Sequence, residues 1–247
     1  MKIVKQIPNA LTALNLTCGL VSIVLAMEVK DGNFIGAALL IFLAAVFDYL
    51  DGTAARLLGA YSELGKQLDS LADVISFGVA PGIIMFCILS NSLTGSNILE
   101  RMHIIPYLAL LIPICSAFRL AKFNIDPRQE VNFIGLPTPA NAIFFASIPL
   151  ILTLQPNIFT IIKLTFFIDF FHNPRILTIL VVFFSYLLVS DFRLFSMKFK
   201  TRTYADNKVR YLFLGMTLVL LILFSVSAIP LIILAYLLLS MFFQTQT

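Results

Sequence analysis

The chain is a succession of long apolar runs separated by short polar segments, and a helical bilayer crossing takes about 20 apolar residues. The runs predict spans over 9–29, 34–58, 63–89, 104–123, 138–154 and 174–190. The last apolar block, 211–243, is too long for one span. Pro230, preceded by SVSAI, predicts a tight break that divides it, which makes eight spans. The piece 158–171, IFTIIKLTFFIDFF, is apolar but short and carries Lys163 and Asp169. Charge at the bilayer centre is costly, so this piece is expected to be an interfacial, aromatic-rich helix. The expected fold class is all-α and integral to the membrane, a polytopic helical bundle.

Basic residues set the orientation. With eight spans and the N-terminus inside, 13 of the 17 Lys and Arg fall on the inner side. Lys30, Arg101, Lys163 and Arg175 fall outside. A ninth span at 158–171 would throw the run MKFKTRTYADNKVR to the outer face, against the positive-inside rule. The N-terminal MKIVKQIPN is followed by a full span and no A-x-A-like cleavage site, so it is expected to be retained.

Composition agrees with lipid as the solvent. Hydrophobic residues make up 60% of the 247 positions and charged residues 12%, against about 25% charged in soluble domains. The net charge of +4 is accounted for by topology rather than by nucleic acid. Nothing points to a redox cofactor. Cys18, Cys87 and Cys115 each lie in an apolar run and form no C-x-x-C, so they are expected to pack as small hydrophobes. His103 and His172 fall on the outer side, away from the acidic cluster described next.

Four of the nine aspartates fall within 26 residues: Asp48, Asp51, Asp69 and Asp73. Asp48 and Asp51 are spaced i,i+3 and Asp69 and Asp73 i,i+4, so each pair shares a helical face. The two helices, joined by a short turn at 58–62, are expected to lie antiparallel and adjacent at the inner boundary. Four converging carboxylates repel, and protons or cations must neutralise them. Hard oxygen ligands select Mg²⁺, Mn²⁺ or Ca²⁺, and zinc is unsuited without nearby Cys or His. Two such ions bridged by carboxylates form a clamp used in phosphoryl chemistry. Small residues between the pairs (Gly52, Ala54, Ala55, Gly59, Ala60, Gly65) serve either close helix contact or a cleft for a pyrophosphate. Arg56 is suited to hold a diphosphate bidentately or to snorkel to headgroups.

Asp48-x-x-Asp51-Gly52-x-x-Ala55-Arg56, then eight residues, then Gly65-x-x-x-Asp69-x-x-x-Asp73, resembles the signature of the CDP-alcohol phosphotransferases, with every position filled. The resemblance implies a six-span core, matched by the first six spans, with two additional C-terminal spans. It divides the chain into a catalytic membrane domain over 1–191 and, over 192–247, a basic cytoplasmic loop with two further helices. It implies that Asp48, Asp51, Asp69 and Asp73 are metal ligands, with two Mg²⁺ or Mn²⁺ ions. Asp73 would also take the acceptor's hydroxyl proton as general base. Gly52, Arg56 and Ser62 would line the pocket for the CDP-lipid. Asn9 and Thr12, in IPNALTALNLTCG, would contact the nucleotide; Asn9 is equally suited to cap the first helix.

Within the family, DSLADVISFGVAPG, FRLAKFNID and FIGLPTPANA resemble the bacterial and archaeal phosphatidylserine synthases. That resemblance implies CDP-diacylglycerol and L-serine as substrates, giving phosphatidylserine and CMP, at the cytoplasmic face of the plasma (inner) membrane. It also implies a homodimer. Arg119, Lys122 and Asn124 would hold the serine carboxylate or else anchor the inner membrane face. Asn141 would contact substrate or cap the fifth span. Two rival readings stand beside this one. One is a sister enzyme using glycerol phosphate or inositol phosphate, which needs a denser basic pocket. The other is a cation transporter, whose sites usually lie near the midplane on broken helices.

Overall fold

The computed structural model describes residues 6–28, 33–92, 104–126, 133–154, 165–194 and 207–243. Helix α1 (Ile7–Met27) starts with Pro8 in its first turn, where a missing N–H costs nothing. Helix α2 (Phe34–Leu58) is capped by the Asn33 side chain, which accepts from the Gly36 N–H at 2.8 Å. After a short turn, α3 (Glu63–Asp73), a π-helical segment (Val74–Val79) and α4 (Ala80–Ser92) run on as one 30-residue apolar helix. A 3-10 turn (Ile105–Leu110) leads into α5 (Leu111–Ile125), and α6 (Thr138–Leu154) follows. Then come α7 (Thr165–His172), α8 (Pro174–Val189), α9 (Lys208–Phe224) and α10 (Ala228–Phe243).

Among the described residues, five helical segments are long and apolar enough to cross a membrane, with α6 and α8 as shorter apolar helices. Many of their large apolar side chains face outward, among them Val24, Leu39, Phe118, Ile179 and Leu218. Helices apolar on every face need lipid around them, so the protein is an integral membrane protein. Helix α7 has eight residues, or about 12 Å at 1.5 Å per residue, too short to span. It packs on α6 and α8, as a peripheral helix does. The rest of the expected interfacial piece, and the basic loop up to 206, lie outside the described residues.

The break in the last apolar block falls at Ser225, with φ 50° and ψ −123°, ahead of a 3-10 turn over Ser225–Ser227. Pro230 lies in the first turn of α10 instead of at the break, a position that proline tolerates. Helices α9 and α10 pack together, and α10 rests on α6.

The core is built from α2, α4, α6 and α8. Ala37, Ala38, Ile41 and Ala44 of α2 are fully buried, and small residues of this kind let α1 lie close along α2. Ser22 of α1 donates to the Ala37 carbonyl at 2.8 Å across that contact. Phe144 of α6 stacks on Phe184 of α8 with centroids 4.0 Å apart. Two two-residue strands, β1 (Phe133–Ile134) and β2 (Arg193–Leu194), pair antiparallel and tie the start of α6 to the end of α8. Helix α5 packs on α8 and on the π segment, and near its C-terminal end Asn124 reaches Ser70 of α3.

Candidate active site

The turn between the acidic helices is made locally. Gly59 ends α2 in the left-handed region (φ 56°, ψ 35°), where a side chain would be strained. Ser62 then caps α3, its hydroxyl accepting from the Gly65 N–H at 3.0 Å. The two helices do not pack closely on one another, as the short turn had led us to expect. Helix α1 lies against both. The three helices line a cavity of about 490 Å³, within the range of small-molecule sites.

Pro8, Asn9 and Thr12 of α1 line the cavity, with Asp51, Gly52 and Ala55 of α2. Ser62, Gly65, Lys66 and Asp69 complete it with Tyr61 and Glu63. Nothing lies within 4 Å of where a Gly52 side chain would begin, so this glycine keeps the cavity open rather than permitting helix contact. Asn9 is inside α1 and does not cap it; its amide donates to Gln6 Oε1 at 3.1 Å while the residue faces the cavity. Arg56 is exposed and folds back on its own helix, its Nε donating to the Gly52 carbonyl at 3.1 Å.

Asp48, Asp51 and Asp69 each offer an oxygen within 4.8 Å of the others. Asp51 is buried and the other two are half-buried. Thr12 Oγ1 donates to Asp51 Oδ2 at 2.7 Å. Asp69 Oδ1 is buried without a hydrogen-bond partner. Three converging carboxylates, one with an unsatisfied oxygen and none paired with a Lys or Arg among the described residues, fit a hard divalent cation. Asp73 stands beside this group rather than in it. It is buried and accepts from Asn15 Nδ2 at 3.3 Å. It interacts electrostatically with Asp48, Asp69 and Asp51, and with Arg119.

The residues expected at the acceptor side divide. Arg119 is buried, donates to Thr138 Oγ1 at 3.4 Å and keeps its Nε without a partner. Asn141 is fully buried and neither side-chain atom has a partner. Asn124 donates to Ser70 Oγ of α3 at 2.8 Å. Lys122 instead forms an exposed ion pair with Asp191 at 2.7 Å, because its long stem reaches past the end of α8. Sequence reasoning missed Asn15, although it lies three residues after Thr12 on the same face of an apolar helix. That spacing was the available signal.

A membrane bundle whose acidic helices converge beside an open cavity defines a membrane protein with a carboxylate site suited to divalent cations and phosphate chemistry. Residues 5–169 match the CDP-alcohol phosphatidyltransferase family, and the chain belongs to that family. It is 34% identical over 187 residues to the CDP-diacylglycerol–serine O-phosphatidyltransferase of Bacillus subtilis (strain 168), covering 76% of this chain and 88% of that protein. It is 38% identical over 145 residues to the enzyme of the same name from Mycobacterium leprae, covering 56% of this chain and 44% of that protein. The archaetidylserine synthase of Methanothermobacter thermautotrophicus is 38% identical over 143 residues, with 57% of this chain and 56% of that protein covered. The latter two matches span less than two thirds of their relatives' lengths.

Proposed function

We propose that the protein transfers the phosphatidyl group from CDP-diacylglycerol to the hydroxyl of L-serine, giving phosphatidylserine and CMP. The observation that carries this reading is the three-carboxylate group facing a nucleotide-sized cavity, with Asp73 and the buried Arg119 behind it. The relatives named for serine transfer support the acceptor.

The acyl chains of CDP-diacylglycerol stay in lipid and its cytidine diphosphate enters the cavity between α2 and α3. Gly52 leaves room for the diphosphate, and Asn9, Thr12 and Ser62 offer polar groups along the wall. Asp48, Asp51 and Asp69, with Asp73 adjoining, would hold Mg²⁺ or Mn²⁺, two ions in our reading. When bound, the metal supplies positive charge that offsets the diphosphate and the departing CMP. Arg56 lies one turn from the cavity-lining Gly52, and its guanidinium would pair with the diphosphate.

Serine enters from the cytoplasm. Its carboxylate pairs with Arg119, whose free Nε lacks a partner, and Asn141 offers a second polar contact. Asp73 takes the hydroxyl proton as the serine oxygen bonds to the lipid-bearing phosphorus. The bond from that phosphorus to the CMP oxygen breaks, and phosphatidylserine leaves laterally. We place the site at the cytoplasmic face of the plasma membrane, with residues 1–191 as catalytic domain and 192–247 as an added hairpin. The family match over 5–169 supports that division.

The test is CMP release by purified protein from CDP-diacylglycerol, with serine, glycerol phosphate, inositol phosphate or no acceptor. Serine-dependent release is expected. Release that depends on another acceptor, or none with any, overturns the assignment.

A further inference from the structure

Asn15 donates a side-chain hydrogen bond to Asp73, which also shares a side-chain hydrogen bond with Asp48. Asn15 sits in the middle of α1 and is fully buried. A carboxamide buried in an apolar helix is costly unless its hydrogen bonds are made. Its Nδ2 makes one, at 3.3 Å to Asp73 Oδ1, while its Oδ1 makes none. The side chain is therefore half-satisfied and turned toward Asp73, an arrangement that packing alone does not require.

The surrounding backbone holds it there. Ser76, in the π segment immediately after Asp73, donates its hydroxyl to the Asn15 carbonyl at 2.9 Å. Gly19, one turn further along α1, lies directly against Ser76, and a Cβ there would stand 2.7 Å from the Ser76 Cα. Helix α1 and the π segment thus meet at Ser76, three residues after Asp73, through both the Asn15 carbonyl and Gly19. A π turn carries an extra residue and re-aims the side chains beside it. Asn15 and Ser76 together define where Asp73 points.

We propose that Asn15 is a positioning residue that holds one oxygen of Asp73 and so fixes how the carboxylate is presented to Asp48 and to the acceptor hydroxyl. The proposal rests on Asp73 as the base. A carboxylate with both oxygens free can rotate about its terminal bond; one with an oxygen held by an amide N–H presents the second in a single direction.

The full-length protein, purified in detergent, tests this with Asn15→Leu and Asn15→Ser. Leucine keeps the volume and removes the donor; serine keeps a donor in a smaller side chain. Asn15→Leu is expected to lower kcat about 10- to 100-fold with KM for CDP-diacylglycerol within about twofold of the parent. Its thermal unfolding midpoint, and the upward shift of that midpoint on adding CDP-diacylglycerol, are expected to persist. Asn15→Ser is expected to recover part of the lost kcat. Parent-like kcat in Asn15→Leu, or an equal loss in both variants, overturns the proposal, as does a loss that appears in KM alone. If Asn15→Leu fails to fold, Asn15→Ser decides: intermediate kcat at unchanged KM supports positioning, and unchanged kcat sinks it. Asp73→Asn run alongside separates the two ideas. Turnover surviving in Asp73→Asn removes the base itself, whereas a dead Asp73→Asn with a parent-like Asn15→Leu removes only the positioning role.

Discussion

Thr12 Oγ1 donates to Asp51 Oδ2 at 2.7 Å, joining the first helix to the acidic cluster across 39 residues of sequence. The Pro8 carbonyl lies 3.0 Å from the same hydroxyl and competes for its one proton, but the charged, closer acceptor wins. Thr12→Val keeps the shape and deletes the donor. Bonds to charged groups are worth about 1.5–3 kcal/mol. The Mg²⁺ concentration needed for half-maximal activity is expected to rise about tenfold or more, read by metal titration of CMP release. No change would mean that Asp51 is held without Thr12.

Asp73→Asn keeps the volume of the side chain and the partner of Asn15 but removes the proton acceptor. Turnover is expected to fall to background, while CDP-diacylglycerol still raises the thermal midpoint of the detergent-solubilised protein. Normal turnover would take the base role away from Asp73.

Chelation with EDTA is expected to silence the enzyme, and Mg²⁺ or Mn²⁺ to restore it. Zn²⁺ is a poor substitute because the three converging ligands are all carboxylates. Activity that survives exhaustive chelation would remove metal from the reaction.

The membrane character and the acidic cluster were legible because both are local patterns. Apolar runs of span length mark the helices, and i,i+3 and i,i+4 spacings place each aspartate pair on one face. What was not legible comes from contacts between distant segments. Lys122 and Asp191 are 69 residues apart, and nothing near Lys122 announces the ion pair that occupies it. The packing of α1 against both α2 and α3 is likewise a contact between distant segments. A short turn predicts that α2 and α3 are neighbours, but not that Pro8, Asn9 and Thr12 of α1 line the cavity with them. Asn15 hid for a different reason: one polar residue in an apolar helix looks like a tolerated exception until its partner is known. The hairpin break fell at Ser225 because proline is accommodated in a helix's first turn and does not force the break at its own position.

Arg119→Ala bears on the acceptor alone. Arg119 is buried, interacts electrostatically with Asp73 and is not among the residues that line the cavity. Its loss is expected to raise KM for serine by about tenfold or more, the effect of deleting a charge-assisted contact. KM for CDP-diacylglycerol is expected to stay within about twofold. An unchanged serine KM would return Arg119 to a structural role, with Thr138 as its partner.

Gly19→Ala tests the contact between α1 and the π segment by adding a single methyl group. The new Cβ would meet the Ser76 Cα at 2.7 Å, and that atom belongs to backbone, which cannot swing aside as a flexible side chain would. Overpacking of this kind costs about 1–3 kcal/mol. The helices must separate by a few tenths of an ångström at least, and the bond from Ser76 to the Asn15 carbonyl lengthens with them. A lower thermal midpoint in detergent is therefore expected together with a lower kcat. Gly78→Ala is the internal comparison, since a Cβ there would stand 3.0 Å from the Ser116 Cβ and 3.3 Å from the Pro113 Cα, a less severe approach than at Gly19. Its loss of thermal stability is expected to be smaller. Equal losses at the two sites would mean that the approach of α1 to the π segment carries no special weight.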